Sequence, residues 1–217
     1  MINDFDLVIF DCDGVVVDSE VLTTQILIEM CAELGLSFDE KKVFKTFIGR
    51  SNKSCEAALE EELGRPAPAD FFVDFHDRVF ARYETDLKEV LGVRHLLESL
   101  ENKAIKFCLA SSGDFSKINK GLSICGLVDY FEGRIFSAQE VAHGKPAPDL
   151  FLYAADQMAV PAGRCVVIED SRPGVLAATA AGMSVLGFAE RSDDESLLEA
   201  GAKIVYSMSE VSQLLFN

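Results

Sequence analysis

The chain has 217 residues, of which 49% are hydrophobic and 26% are charged, and its formal net charge at pH 7 is −16. This composition is typical of a globular protein, and the charge argues against nucleic acid as a partner, because a phosphate backbone is bound by basic surfaces. No apolar run approaches the roughly 20 residues of a membrane-spanning helix, and six cysteines without a CxxC pair indicate reduced core thiols of a cytoplasmic protein.

The first predicted element is a buried strand, Leu7 to Phe10, which runs directly into the sequence DCDG. Asp11 and Asp13 therefore follow the end of a buried strand, although two carboxylates repel each other and burial penalises both. A cation supplied by another part of the fold must compensate them. Cys12, between the two aspartates, is expected to point into the sheet as a structural thiol. The acidic residues before this strand do not resemble a signal peptide.

The second region, residues 18–89, contains no convincing strand. Four helical stretches lie there, and two of them end at a glycine, which is a common helix stop. We predict that residues 18–89 form an inserted all-helical cap domain, and that residues 1–17 and 90–217 form the core.

Strands and helices alternate after residue 90. Apolar runs at residues 105–110, 165–170, 184–188 and 203–207 are predicted strands, and helical segments separate them. Continuous apolar strands that alternate with helices are typical of a parallel sheet covered on both faces. The predicted fold class is therefore α/β, with a Rossmann-like parallel sheet core flanked by helices and a helical insertion.

Polar side chains lie at the predicted strand ends and at one helix start. Ser111 and Ser112 follow the second strand, Glu169 and Asp170 end the third, and Lys145 precedes a helix in GKPAPD. Ligands of parallel sheets bind outside the carboxyl ends of the strands, so we expect these groups to meet the first pair of aspartates.

The chemistry of the set fits a phosphate and a hard cation such as Mg²⁺, which prefers oxygen ligands. The candidate metal ligands are Asp11, Asp13, Glu169 and Asp170. Ser111 and nearby N–H groups can bind phosphate oxygens, and Lys145 adds a fixed positive charge. Each motif alone also occurs in ordinary turns and helix caps, and the joint order of the motifs favours a phosphoryl-transfer site. An EF-hand loop is excluded, because its twelfth position would be Leu22 instead of glutamate.

Four motifs, DCDGVVVDSE, LASSG, GKPAPD and IEDSRPG, resemble in this order those of the haloacid dehalogenase superfamily. The closest resemblance is to its subgroup of sugar-phosphate phosphatases and β-phosphoglucomutases, and it covers nearly the whole chain. The resemblance implies a phosphoric monoester hydrolase with Mg²⁺ as cofactor. It also implies that the helical insertion is a cap that closes over the site and excludes water.

The resemblance also implies roles for individual residues. Asp11 would be the nucleophile that forms an aspartyl-phosphate, and Asp13 would be the general acid and then the base, with its backbone carbonyl bound to the metal. Asp170 would be a metal ligand, and Glu169 would bind the metal or support its ligands. The phosphoryl group would be held by Ser111, Ser112 and Lys145.

Two departures from the mutases favour hydrolysis over phosphoryl transfer between sugars. Those mutases carry a histidine near the position of Thr23, whereas the first histidine here is His76. They also carry a Ser-Lys pair where this chain has Gly113 and Asp114, and Asp114 would repel a second phosphate. A phosphosugar mutase of the β-phosphoglucomutase type remains the alternative, as does a non-catalytic regulatory protein. Asp13 argues against a dehalogenase, which has no use for an acid/base there.

The expected substrate is a small sugar or sugar-acid phosphomonoester, and its specificity would come from the loop IGRSNKS in the helical region. Arg50, Asn52 and Lys53 are the candidates to bind its non-reacting end, and they could equally be exposed residues at a helix start. Arg82 is a fainter candidate. We expect no nucleic acid or membrane partner, and a monomer rather than an oligomer.

Overall fold

The computed structural model describes residues 5–47 and 52–216, with all their side chains except those at positions 44, 45, 52 and 53. The chain forms two compact units. One, the helical unit, spans Asp18–Leu87, and the other, the sheet unit, combines the chain up to Val17 with the chain from Lys88 onward.

The helical unit contains four helices in its described part: α1 (Ser19–Glu33), α2 (Glu40–Phe47), α3 (Asn52–Leu63) and α4 (Phe71–Asp86). Helix α1 packs against α4 and α2, and α2 packs against α3. Its interior is apolar, with Ile26 of α1, Leu59 of α3 and Tyr83 of α4 almost fully buried. Each helix therefore buries one apolar side against its neighbours, as helices of a small bundle must.

The sheet unit contains six strands among the described residues: β1 (Leu7–Phe10), β2 (Lys106–Ser111), β3 (Ile135–Ser137), β4 (Cys165–Glu169), β5 (Ser184–Phe188) and β6 (Lys203–Val205). All neighbouring pairs are parallel, in the order β3-β2-β1-β4-β5-β6. This sheet confirms the predicted Rossmann-like α/β fold.

Seven helices accompany these strands in the described part of the sheet unit: α5 (Val93–Asn102), α6 (Phe115–Ile124), α7 (Val128–Phe131), α8 (Asp149–Gln157), α9 (Arg172–Ala180), α10 (Asp194–Glu199) and α11 (Met208–Phe216). Two single 3₁₀ turns, Ala138–Glu140 and Ala162–Arg164, complete the connections. None of the described helices combines the length and apolar character needed to cross a lipid bilayer.

Strand β1 lies in the centre of the sheet, and all four of its residues are fully buried. On one face, α9 presents the small residues Ala177 and Ala178 to the sheet core. On the other face, the rings of Phe10, Phe107 and Phe131 meet edge to face, with centroids 5.7 to 6.3 Å apart. Because both faces are covered, an uninterrupted apolar run is the sequence that such a strand requires.

Candidate active site

The candidate site lies at the carboxyl edge of the sheet, where β1 and β4 are neighbours. β2 and β3 lie on one side of β1, and β4, β5 and β6 lie on the other, so the strand order reverses direction at β1. Such a topological switch point is the usual ligand site of an open parallel sheet. The N–H of Asp11 donates to the carbonyl of Ile168 at 3.0 Å, so the pairing continues beyond β1. Phe10 is opposite Ile168, which places Asp11 level with Glu169.

A buried ion cluster, the Lys145 cluster, consists of Asp11, Lys145 and Glu169. The Lys145 Nζ donates to Asp11 Oδ1, to Glu169 Oε1 at 2.6 Å and to the carbonyl of Ala110 at 3.1 Å. The three side chains of the cluster are only 10%, 4% and 1% exposed, in the order given. The cation that the sequence requires beside Asp11 is thus an ammonium group that approaches from the loop before α8.

The electrostatics of the cluster follow from burial and from this contact. Burial raises the pKa of the Asp11 carboxyl to about 7, against the opposing effect of Lys145. Burial by itself lowers the pKa of the Lys145 ammonium, but Asp11 and Glu169 more than offset this and raise it above its ordinary value. Lys145 therefore stays protonated and supplies permanent positive charge at the position of the expected nucleophile.

The second oxygen of Glu169 is engaged at the start of α9. Glu169 Oε2 accepts hydrogen bonds from the Ser171 N–H at 2.8 Å and from its Oγ at 2.9 Å, while Ser171 Oγ also caps α9 by accepting from the Gly174 N–H. A Cβ at Gly174 would lie 1.7 Å from Glu169 Oε1, so only glycine leaves room for this carboxylate. These contacts favour the supporting role of Glu169 over direct binding of a metal.

Asp13 occupies a different environment, in a tight turn after β1. Gly14 has a φ of +76°, a value that glycine adopts without strain, and its N–H donates to the carbonyl of Val17 at 2.9 Å. The Asp13 side chain is 31% exposed, and its Oδ2 accepts a hydrogen bond from the Lys117 Nζ at 2.7 Å. A second lysine therefore compensates the second aspartate.

The predicted phosphate-binding loop begins at the end of β2. Ser111 is 1% exposed, and its Oγ accepts a hydrogen bond from the Gly113 N–H at 3.0 Å. The Oγ of Ser137, which is paired with Ser111 in the sheet, donates to the Gly113 carbonyl at 2.7 Å. The neighbouring Ser112 is exposed. The loop is thus held in place by the hydroxyl groups of Ser111 and Ser137, which lie at the ends of β2 and β3.

The remaining predicted site residues are placed as follows. Asp170 directly follows β4 and is 7% exposed. Arg50 lies outside the described residues, and Asn52 and Lys53 open α3 with side chains that are likewise outside the described part. Arg82 forms an ion pair with Glu29 of α1 at 3.1 Å, which gives it a structural partner within the helical unit.

Sequence reasoning missed Lys117. The signal was present, because Asp114 is an N-cap residue and the third residue of a helix after a strand end points back towards the helix start. Asp114 does cap α6, and its Oδ1 accepts a hydrogen bond from the Lys117 N–H at 2.8 Å. The carboxylate that was expected to repel a second phosphate is therefore engaged as a cap.

The donor set at this edge fits Mg²⁺. In the described stretches 5–47 and 52–216, no group of three or more His, Cys, Asp or Glu side chains is arranged so that it could hold a metal ion. Mg²⁺ is usually bound by one or two carboxylates together with waters and substrate phosphates, and Asp11 and Asp170, which are both buried, would be such a pair. The carbonyl of Asp13 would be a third oxygen donor.

Comparison with known proteins identifies the family. The family model for haloacid dehalogenase-like hydrolases matches residues 5–182. A phosphorylated carbohydrates phosphatase of Thermotoga maritima is 31% identical over 97% of this chain and 98% of its own, and the 6-phosphogluconate phosphatase of Escherichia coli is 26% identical over 96% and 94%.

Among solved structures, a conserved haloacid dehalogenase-like protein of unknown function from Agrobacterium tumefaciens is 33% identical, with a TM-score of 0.90 over 97% of both chains. These matches confirm the predicted resemblance and the prediction of a phosphoric monoester hydrolase. The chain belongs to the haloacid dehalogenase-like hydrolase family.

Proposed function

We propose that the chain is a Mg²⁺-dependent phosphatase that hydrolyses a small sugar or sugar-acid phosphomonoester through an aspartyl-phosphate on Asp11. The observation that carries this proposal is the Lys145 cluster, with the Asp13–Lys117 ion pair beside it. A buried carboxylate next to a permanent cation is what attack on an anionic phosphoryl group requires, because the cation offsets the repulsion between the two.

The first step forms a bond between an Asp11 oxygen and phosphorus while the bond to the leaving oxygen breaks. Asp13 donates a proton to that oxygen, so that the sugar leaves as an alcohol. The Lys145 ammonium offsets the negative charge of the transferring oxygens, and the loop at Ser111 binds them. Mg²⁺, when bound by Asp11, Asp170 and the carbonyl of Asp13, would neutralise phosphoryl charge.

The second step releases phosphate. Asp13, now a carboxylate, takes a proton from a water molecule whose oxygen attacks the phosphorus of the aspartyl-phosphate. The bond to Asp11 breaks, and the free carboxylate is restored beside Lys145. One residue thus serves first as acid and then as base, as microscopic reversibility allows.

A phosphatase is favoured over a mutase by the contacts at the two positions where the mutases differ. Thr23 stands where they carry a histidine, and its Oγ1 donates to the carbonyl of Ser19 within α1 at 2.8 Å. Asp114 stands where they carry a lysine, and it caps α6. The two named phosphatase relatives support a carbohydrate or sugar-acid phosphate as substrate.

The proposal is tested by phosphate release from a panel of phosphomonoesters that includes 6-phosphogluconate, glucose 6-phosphate and β-glucose 1-phosphate, with Mg²⁺ or with EDTA. We expect Mg²⁺-dependent release that Asp11→Asn abolishes. Asp6→Asn is the matched control, since Asp6 pairs with Arg164 at the opposite end of β1. Absence of hydrolysis of every member, or conversion of β-glucose 1-phosphate to glucose 6-phosphate faster than phosphate release, would overturn the proposal.

A further inference from the structure

Lys117 brings a second ammonium group to the carboxyl edge of the sheet. It is the third residue of α6, and its Nζ is 2.7 Å from Asp13 Oδ2, although the two residues are 104 positions apart in the chain. The two side chains are 33% and 31% exposed, so the pair is partly shielded from solvent. Such a long-range pair joins the start of α6 to the turn after β1.

Both ends of the Lys117 residue are fixed. Its backbone N–H donates to the Asp114 side chain at 2.8 Å, which holds it in the first turn of α6. Its aliphatic chain passes beside the phosphate-binding loop, because a Cβ built at Gly113 would lie 3.7 Å from Lys117 Cδ and 3.3 Å from Ser111 Oγ. The ammonium group therefore reaches Asp13 along a defined path.

The Lys145 ammonium is fully engaged and does not serve Asp13 as well. An ammonium group has three N–H donors, and the three of Lys145 are accounted for by Asp11, Glu169 and the Ala110 carbonyl. Because Asp13 lies only two residues from Asp11, its negative charge adds to that of the first carboxylate. A second cation is needed to hold both carboxylates at one edge.

We propose that Lys117 is a positioning residue for Asp13 in the proposed phosphatase reaction, on which this inference rests. By binding Oδ2, Lys117 holds one oxygen of the Asp13 carboxyl group in a fixed direction in the turn after β1. Orientation matters because general acid–base catalysis requires the proton donor within hydrogen-bond reach of the leaving oxygen. Lys117 thus acts on the reaction through Asp13 and not on the substrate.

A double-mutant cycle with Asp13→Asn and Lys117→Met tests this role, measured as kcat and KM with the best sugar phosphate of the panel. Asp13→Asn should lower kcat by about 10²–10⁴-fold. Lys117→Met alone should lower kcat by about 10–100-fold and change KM by less than about threefold. In the Asp13→Asn background, Lys117→Met should change kcat by less than about twofold, because Lys117 acts through the Asp13 carboxyl group and that group is absent.

The leaving group gives a second readout. With p-nitrophenyl phosphate, whose leaving group needs little help from an acid, Lys117→Met should still form the aspartyl-phosphate rapidly and then turn over slowly. Rapid mixing should therefore show a burst of about one p-nitrophenolate per enzyme, followed by a slow phase. With the sugar phosphate no burst should appear, because its first step needs the acid.

Controls separate positioning from stability and from charge. Lys203→Met removes one positive charge from an exposed position of β6 and should leave kcat unchanged. Lys117→Arg keeps a cation in place and should retain most of the wild-type kcat, a comparison that does not depend on the stability of Lys117→Met. Melting temperatures should be similar for the three variants.

Three outcomes would overturn the inference: unchanged kinetics in Lys117→Met, an equal loss in the Asp13→Asn background, or a loss confined to KM for substrates with a second anionic group. The last would make Lys117 a substrate-binding residue. A wild-type protein that hydrolyses no phosphomonoester would overturn the proposed function itself, and this inference with it.

Discussion

Two ion pairs of equal length lie in very different surroundings. In the sheet unit, Lys145 Nζ and Glu169 Oε1 are 2.6 Å apart, and their side chains are 4% and 1% exposed. In the helical unit, Arg78 and Glu33 are also 2.6 Å apart, but their side chains are 35% and 57% exposed. The distance is the same, and the dielectric environment differs.

The contrast shows that the geometry of an ion pair does not determine its contribution. An exposed pair is screened by water and salt and contributes little to stability. Burial of an ion pair carries a large desolvation cost, and removal of one partner is strongly destabilising because it leaves an uncompensated buried charge. The helical unit can therefore lose a pair with little effect, whereas removal of Lys145 from the Lys145 cluster leaves two buried carboxylates without a cation.

The largest expected effect is on activity and comes from Asp11→Asn. The amide has the shape of the carboxylate but is not a nucleophile, so phosphate release should fall by about 10³-fold or more while the protein stays folded. Steady-state assays on the purified variant, with circular dichroism to monitor folding, measure both. Retention of more than a tenth of the activity would show that Asp11 is not the nucleophile.

The next effect is on stability and comes from Lys145→Met. This change leaves two buried carboxylates without their cation and should lower the free energy of unfolding by about 3–5 kcal/mol at pH 7. The loss should shrink as the pH falls, because protonated carboxyl groups need no counter-ion. Urea unfolding at several pH values measures it. Lys106→Met, at the amino end of β2, is the control, and an equal loss there would contradict the prediction.

Mg²⁺ should stabilise the sheet unit by binding at the carboxyl edge of the sheet, beside the Lys145 cluster, and should have no effect through the helical unit. At about 100 times the dissociation constant, mass action adds about 2.7 kcal/mol, which corresponds to about 5–10 °C in melting temperature. Asp170→Asn should reduce this shift, whereas Glu33→Gln in the helical unit should preserve it. An unchanged wild-type midpoint at millimolar Mg²⁺ would count against the proposed metal site.

A smaller effect is expected from Gly174→Ala. The new Cβ would lie 1.7 Å from Glu169 Oε1, so the carboxylate must move away from Lys145. We expect a loss of about 1–3 kcal/mol in unfolding free energy together with reduced activity. Gly163→Ala is the matched control, since a Cβ there would have no atom within 4 Å. Equal thermal midpoints for the two variants would show that the space at position 174 is not critical.

The smallest effect is expected from Arg78→Ala in the helical unit. Hydrogen bonding to Arg78 lowers the pKa of Glu33 below its ordinary value of 4.5, so the pair stabilises at neutral pH and is lost as the pH falls through that lowered pKa. The difference in melting temperature from wild type should be at most about 2 °C at pH 7 and should shrink as the pH falls through the lowered pKa of Glu33. A larger difference at neutral pH would contradict the conclusion that the exposed pair contributes much less to stability than the Lys145 cluster.

Much of the fold could be predicted because its strands are continuous apolar runs. The run at residues 184–188 coincides with β5, and that at 165–170 extends one residue beyond β4. β3 was not predicted, since Ile135–Ser137 is only three residues long and has too few side chains for a period. β3 forms because it pairs with the outer edge of β2, and this pairing depends on the tertiary structure and not on the local sequence.

The meeting of Asp11, Lys145 and Glu169 could be predicted from the rule that strand ends converge, and their roles remain predictions. The direction of the Glu169 carboxylate could not, because it depends on the space that Gly174 leaves at the start of α9. Lys117 was missed because its partner lies 104 residues away, although the Asp114 cap could have placed Lys117 in the first turn of a helix that follows a strand end.

The central position of β1 has a consequence for synthesis of the protein. β1 is made first, yet its neighbours β2 and β4 come about 100 and 158 residues later, as the pairs Leu7–Lys106 and Leu7–Cys165 show. Asp11 therefore leaves the ribosome well before its counter-ion and before the second acidic pair. A nascent chain that ends before residue 169 carries Asp11 without Glu169 and Asp170, so the proposed activity arises only when the late half of the sheet pairs with the earliest strand.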